Sequence, residues 1–214
     1  MARSLQDARR WVGEGTQLFR DSLAQLDDLS AATALPGWSR AHLVAHVAAN
    51  AEAVGNLVHW ASTGERTPMY SSPEQRAADI ESGSRRGRDD LVGWFGASAG
   101  RLEQAMDALT EKQWQARVMT AQGREVPASE IPWMRSRELM VHAVDLGAGV
   151  GFGDLPSDFV EALVEDVLAK RGAAADVTGP LAGRAAYLTG RADGETAGVL
   201  SPDGSPAPEL SAWL

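Results

Sequence analysis

The sequence predicts a mainly α-helical protein, with a four-helix bundle over residues 1–152 and a small α/β appendage over residues 153–214. In the first part, apolar residues recur every three or four positions in four segments, which is the pattern of amphipathic helices. Such helices bury their apolar faces most simply as antiparallel neighbours in a bundle. After Gly153 the segments are shorter and richer in Gly and Pro, which indicates a separate, smaller unit.

The first two helices have clear boundary signals. Helix one is predicted over Leu5–Leu26, where the apolar spacings are sums of threes and fours. The segment from Leu35 to Trp38 contains Pro and Gly and interrupts the chain. Ser39 is then a good N-cap for a helix that runs to about Ser62.

The next segments complete the bundle. Residues 63–73 contain one Gly and two Pro and are predicted to form a surface loop. A long helical stretch follows, with an expected break between Gly83 and Gly87. A turn-rich segment then leads into a fourth helix over Trp133–Leu146, which Gly147 ends.

The appendage is predicted from weaker patterns. One helix is expected over about Ser157–Arg171, followed by a short strand and a second helix near Leu181–Thr189. A tail rich in Pro and Gly closes the chain.

Composition limits the classes of function. The 29 acidic and 20 basic residues give a net charge of -9, which disfavours nucleic acids and anionic membranes as partners. The first residues carry charges throughout, and no later segment is a long apolar run, so we expect a cytoplasmic protein. We also expect a monomer or a weak homo-oligomer. The chain has no cysteine, so a metal must be held by nitrogen and oxygen, and thiol chemistry must use a borrowed thiol.

Three residues on two helices form the candidate metal site. His46 lies on helix two, and Glu138 and His142 lie four residues apart on helix four, so both project from one face. Met134 and Asp145 fall on the same strip at about 100° per residue. A buried carboxylate or imidazole without a partner costs on the order of 2–7 kcal/mol or more, and a metal ion would compensate.

Other interpretations of the histidines remain open. A Glu–His pair at this spacing is often only a salt bridge, and a single buried His is often a satisfied core residue. His42 could replace His46 as a ligand. His59 lies 13 residues after His46, about 220° around the helix, and points away. Bundles do build metal sites from inward-facing His and carboxylates, and three such ligands leave an open position, as in catalytic zinc sites.

Three stretches of the chain resemble one enzyme family. They are GWSRAHLVAHVAAN, HWASTGERTPMY and TAQGREVPASEIPWMRSRELMVHAVDLG. Together they are similar to the mycothiol-dependent maleylpyruvate isomerases, which belong to the DinB-like group of four-helix bundles. The resemblance covers almost all of the first 150 residues. It implies zinc on His46, Glu138 and His142, mycothiol as the thiol cofactor, and conversion of maleylpyruvate to fumarylpyruvate in gentisate degradation.

The substrate of that reaction carries two carboxylates, which arginine binds well through its planar fork. The segment YLTGR resembles the family's C-terminal motif, and this resemblance implies a catalytic and substrate-binding role for Arg191. Arg135 and Arg137 belong to the metal-binding helix and are further candidates, although arginines that are exposed or that pair with nearby acids would show the same pattern. Asp145 is a candidate acceptor for a hydrogen bond from a ligand imidazole.

The chain also departs from the expected pattern, and two rival functions remain. Between Lys170 and Leu181 it looks shorter than relatives, which places the role of Arg191 in question. One rival is a mycothiol S-transferase that acts on other electrophiles. The other is a metal-binding bundle without enzymatic activity.

Overall fold

The computed structural model describes residues 3–172, 175–210 and 213. These residues divide into two compact units, one formed by Ser4–Ala148 and the other by Arg3 and the described residues from Gly149 onward. The fold is mainly helical, as the sequence predicts, with one small two-stranded sheet. None of the described helices is long and apolar enough to cross a membrane.

The larger unit contains the helices α1 (Leu5–Ala24), α2 (Arg40–Thr63), α3 (Pro73–Ser84), α4 (Arg88–Asp107), the short α5 (Glu111–Trp114) and α6 (Ile131–Asp145). Ser39 caps α2 as predicted, because its side chain accepts a hydrogen bond from the amide of His42. The expected break in the long third stretch also occurs, and it separates α3 from α4. The shared core lies between the helices, and its fully buried members include Phe19, Leu43, Leu57, Phe95 and Leu139.

The four long helices do not alternate in direction as expected. Gln113, just after α4, donates to the carbonyl oxygen of Ser62 at the end of α2. Gly83, just before α4, lies beside Ala45 near the start of α2. Helices α2 and α4 therefore run parallel, because α3 carries the chain back along the bundle before α4 begins.

Helix α6 runs antiparallel to α2. Arg40, the first residue of α2, donates from Nε to the carbonyl oxygen of Leu146, which follows the end of α6, at 3.0 Å. Helix α1 packs on the opposite side of α6, where Trp11 meets Trp133 edge-on with 5.7 Å between ring centroids. Helix α6 thus lies between α1 and α2 and is held at both faces, which keeps its polar residues in register with those of α2.

A β-hairpin connects the short helix α5 (Glu111–Trp114) to α6. Strands β1 (Arg117–Met119) and β2 (Glu125–Pro127) pair antiparallel, and Val118 lies opposite Val126. The sequence analysis predicts only turns here. Each strand buries a single residue fully, so the pattern is too short to show the alternation of a strand.

The smaller unit contains α7 (Ser157–Arg171), α8 (Leu181–Leu188) and α9 (Gly194–Ala197). Its core includes Phe159, Leu163 and Leu188, which are fully buried. In the region of the expected strand, the described residues form isolated bridges, of Thr178 with Leu200 and of Leu200 with Pro206. Residues 173 and 174, which belong to the segment expected to be shortened, lie outside the described residues.

Candidate metal centre

Helix α2 places His46 in the interior of the larger unit. Its side chain is 5% exposed. The indole of Trp38, just before α2, meets the imidazole edge-on with 5.3 Å between ring centroids. His46 is therefore held between an aromatic wall and the neighbouring helix α6, and its Nε2 faces that helix.

Helix α6 supplies the other two candidate ligands one turn apart. Glu138 Oε2 lies 2.8 Å from His46 Nε2 and 3.4 Å from His142 Nε2. The two imidazole rings are nearly perpendicular, with 5.0 Å between centroids. One ligand atom from each residue lies within 4.8 Å of the others, so the structure brings the three predicted side chains together. The side chains of Glu138 and His142 are 27% and 13% exposed, which leaves the site accessible on the α6 side.

Asp145 orients one of the imidazoles. Its carboxylate is buried, and its Oδ2 lies 2.8 Å from Nδ1 of His142. This contact places the Nδ1 proton of His142 toward Asp145 and turns Nε2 toward Glu138. The arrangement matches that of metal-bound histidines, whose second nitrogen commonly donates to a carboxylate.

The surroundings shift the pKa values of all three ionisable groups. Burial lowers the pKa of His46, which therefore favours the neutral imidazole. Burial also opposes ionisation of Glu138, but hydrogen bonds from His142 and His46 outweigh it and hold the pKa of that carboxyl well below 4.5. Burial would lower the pKa of His142, yet its hydrogen bonds to Asp145 and Glu138 raise it. Glu138 is thus the anion of the site.

The donor set fits a divalent metal ion. Two imidazole nitrogens and one carboxylate oxygen are the ligands that zinc takes in catalytic sites, which keep an open position for an external ligand. In this structure, the same three groups satisfy one another by hydrogen bonds through the shared Oε2. A metal ion that displaces these protons would leave Asp145 in place as the partner of His142.

Two residues beside the triad are absent from the sequence-based site. Arg76, on α3, places Nη2 3.3 Å from Nδ1 of His46, and its guanidinium lies over the ring of Tyr70 at 5.6 Å. Burial raises the pKa of the Tyr70 phenol, which also interacts with Arg76 and Asn50. Neither residue carries a periodic signal in the sequence, since Tyr70 lies in a loop and Arg76 on a mostly exposed helix. Asn50 does carry one, because it is four residues after His46 on the same face of α2.

Arg135 joins α2 to α6 in the core. It is 1% exposed, and its Nη1 donates to the carbonyl oxygen of Val47 and to Oδ1 of Asn50, each at 2.8 Å. Burial lowers the pKa of its guanidinium to about 10, with Glu138 and Tyr70 opposing the shift. Arg135 therefore remains charged at neutral pH and fixes α6 against the turn of α2 that follows His46.

The remaining sequence candidates have other partners. His42 takes part in the N-cap of α2, with Nδ1 2.7 Å from Ser39 Oγ, and its Nε2 lies 3.2 Å from Glu81. His59 lies 3.8 Å from Glu65 and is exposed, pointing away as expected. The guanidinium of Arg137 lies over the ring of Trp133 at 5.7 Å. Arg191 belongs to the smaller unit, where its Nη1 donates to the carbonyl oxygen of Thr189 at 2.6 Å.

Comparison with known proteins decides the family. Residues 12–147 match the model of the mycothiol maleylpyruvate isomerase N-terminal domain. The chain belongs to this family. A solved structure, the crystal structure of the mycothiol-dependent maleylpyruvate isomerase, is 38% identical with a TM-score of 0.90, and the match covers 99% of this chain and 98% of that one.

A second solved structure is a histidine-to-alanine mutant of the mycothiol-dependent maleylpyruvate isomerase. It is 37% identical with a TM-score of 0.90, again over 99% of this chain and 98% of that chain. No curated protein matches the chain. The family and the fold that the sequence indicates are thus both confirmed.

Proposed function

We propose that this protein is a mycothiol-dependent isomerase that converts maleylpyruvate to fumarylpyruvate, as a step of gentisate degradation. The observation that carries the proposal is the convergence of His46, Glu138 and His142 in a chain that matches an isomerase of this name over almost its full length. The site residues are proposed from this chain's own geometry. The cofactor and substrate come from the family.

The proposed metal is zinc, held by His46 Nε2, Glu138 and His142 Nε2. A bound divalent cation would supply the positive charge that keeps a thiol ionised near neutral pH. Asp145 holds the imidazole of His142 in the tautomer that presents Nε2 to the site. Trp38 and Tyr70 flank the triad with aromatic surface, which limits the access of water to a bound ligand.

The chemistry needs no net oxidation or reduction. Mycothiol, when bound, would supply a thiolate that adds reversibly to the conjugated cis double bond and so permits rotation about it, with the negative charge on the carbonyl oxygen until the thiolate leaves again. The protein must bind both carboxylates and stabilise the negative charge on the oxygen, a role that suits arginine.

We assign Arg191 to binding of a substrate carboxylate and keep Arg137 as a second candidate for that role. The assignment of Arg191 rests on the family motif YLTGR, and the structure places this residue in the smaller unit. The thiol must be kept reduced, which is the condition of the cytoplasm. We therefore propose that the reaction takes place there.

The decisive test is turnover. Zinc-loaded protein is incubated with mycothiol and maleylpyruvate, and fumarylpyruvate is followed by absorbance. We expect thiol-dependent formation of fumarylpyruvate, with loss of bound zinc and of activity in His142→Ala, and both retained in the matched control His59→Ala. Consumption of mycothiol with a stable adduct would identify an S-transferase instead. Zinc content unchanged in His142→Ala would reject the metal site.

A further inference from the structure

Arg76 places a cation directly beside the triad in the larger unit. It is half-buried on α3, with Nη2 3.3 Å from Nδ1 of His46 and its guanidinium over the ring of Tyr70. Among the residues that the structure describes, no carboxylate forms an ion pair with Arg76. In a chain with 29 acidic residues, a half-buried guanidinium without a carboxylate partner beside a candidate active site is unusual.

The contact with His46 defines the tautomer of that imidazole. A guanidinium has only donors, so Nδ1 of His46 must accept the hydrogen bond from Arg76. The neutral ring then carries its proton on Nε2, which donates to Glu138 at 2.8 Å. This is a self-consistent arrangement for the metal-free site.

The same contact is incompatible with a loaded site. When Nε2 of His46 becomes a metal ligand, the neutral ring carries its proton on Nδ1. An N–H group on His46 would then face an N–H group on Arg76, and neither can accept. His142 avoids this conflict, because its Nδ1 faces the carboxylate of Asp145. Loading of the triad would therefore release Arg76 from His46.

We propose that Arg76 binds a carboxylate of the substrate once the metal is in place. This inference rests on the proposed function, since it requires the metal and a carboxylate ligand. The released guanidinium stays over Tyr70, a few ångströms from the triad, and its planar fork matches the geometry of a carboxylate. Arg76 thus supplies a substrate contact within the larger unit itself.

The test measures binding of maleate, an inert dicarboxylate probe, to zinc-loaded protein by calorimetry without any thiol. We expect Arg76→Met to weaken maleate binding about 10–100-fold, as for loss of a charge-assisted pair. Arg76→Lys keeps the positive charge but loses the planar fork, so its affinity for maleate should lie between those of the wild type and Arg76→Met. Arg85→Met is the matched control, because Arg85 is exposed and pairs with Glu81 near the end of the same helix. The maleate affinity of this variant should differ from that of the wild type by less than about twofold.

Two further readouts separate binding from structure. In turnover assays, Arg76→Met should raise the KM for maleylpyruvate and leave the KM for mycothiol unchanged. Nitrogen NMR of His46 should show the proton on Nε2 in metal-free protein and on Nδ1 in zinc-loaded protein. Equal maleate affinity of the wild type and Arg76→Met, or a His46 proton that stays on Nε2 after loading, overturns the assignment. Maleate binding that depends on Arg76 without isomerisation would instead support the assignment and reject the proposed activity.

Discussion

At the scale of single residues, the two histidines of the triad have opposite surroundings. His142 has a carboxylate at Nδ1, while His46 has a guanidinium there. His142 is therefore already oriented as a ligand in the metal-free protein, and His46 has to change its hydrogen-bond partner. The affinity for metal should accordingly depend on Asp145 as well as on the three ligands themselves.

Replacement of Asp145 by Asn tests this dependence. The amide has no charge, so the Nδ1 proton of His142 loses its anionic acceptor and the imidazole becomes a weaker ligand. We expect zinc affinity to fall about 10–100-fold, the usual effect of losing such a partner. The measurement is competition with a chromophoric chelator. Asp89→Asn, at an exposed position at the start of α4, serves as the control, and an equal loss there would show that only net charge matters.

The histidines also predict how pH changes the stability of metal-free protein. The pKa of His46 is lowered from 6.5, so the unfolded chain binds more protons below that pH and stability falls as pH decreases. The pKa of His142 is raised from 6.5, so its contribution to the stability of the folded protein is present below that pH and is lost as the pH rises through the native pKa. The combined contribution of the two residues should be greatest near pH 6.5.

Urea denaturation in the presence of chelator, at several pH values on both sides of this maximum, measures the effect. In His46→Gln, the free energy of unfolding should fall less steeply than in the wild type as the pH decreases below this maximum. In His142→Gln, it should fall less steeply as the pH rises above the maximum. If both variants change the same side, the assignment of protons in the metal-free triad is wrong.

At the scale of elements, the close approach of α3, α2 and α4 depends on Gly83. A Cβ atom at this position would lie 2.8 Å from Trp94 Cζ3 and 2.9 Å from Ala45 Cβ. We therefore expect Gly83→Ala to lower the free energy of unfolding by about 1–3 kcal/mol, since overpacking outweighs the better helix propensity of Ala. Chemical denaturation gives the value.

Gly55→Ala is the matched control on α2. Apart from the neighbouring residues and the backbone of α2 itself, no atom lies within 4 Å of a Cβ atom there, so the substitution should stabilise the protein by up to about 1 kcal/mol through helix propensity alone.

Because α3 carries Arg76, the zinc-loaded Gly83→Ala protein should also bind maleate less tightly. A stabilised Gly83→Ala protein would show that α3 can move away without cost.

The elements show which features of the fold the sequence encodes locally. Helix α2 was predictable because Ser39 and the apolar period define it without reference to the rest of the chain. The parallel direction of α2 and α4 was not, because it depends on where α3 packs. The hairpin of β1 and β2 was also missed, since each strand has three residues and pairing, rather than pattern, defines it.

The same distinction applies to the candidate site. His46, Glu138 and His142 were identifiable because scarce histidines and a spacing of four indicate one helical face. Arg76 was not, because it comes from a third helix whose residues are mostly exposed. Its position beside His46 follows from the packing of α3 on α2, which no local pattern predicts.

At the scale of the whole molecule, the metal should stabilise only one of the two units. The three candidate ligands all belong to Ser4–Ala148, whereas the smaller unit, with its core of Phe159, Leu163 and Leu188, contributes none of them. A ligand that binds only the folded form adds about 2.7 kcal/mol when its free concentration is about 100 times the Kd. The effect should therefore appear in the unfolding of the larger unit.

Differential scanning calorimetry with and without zinc tests this expectation. Removal of zinc with a chelator should lower the midpoint temperature of the larger unit's unfolding transition by several degrees. In the presence of zinc, this midpoint should rise as the free zinc concentration increases. In His142→Ala, that transition should no longer respond to zinc, while His59→Ala should behave as wild type. A second transition that does not move would report the smaller unit. If a single transition moves as a whole, the two units unfold together, and the metal then stabilises the entire chain through their coupling.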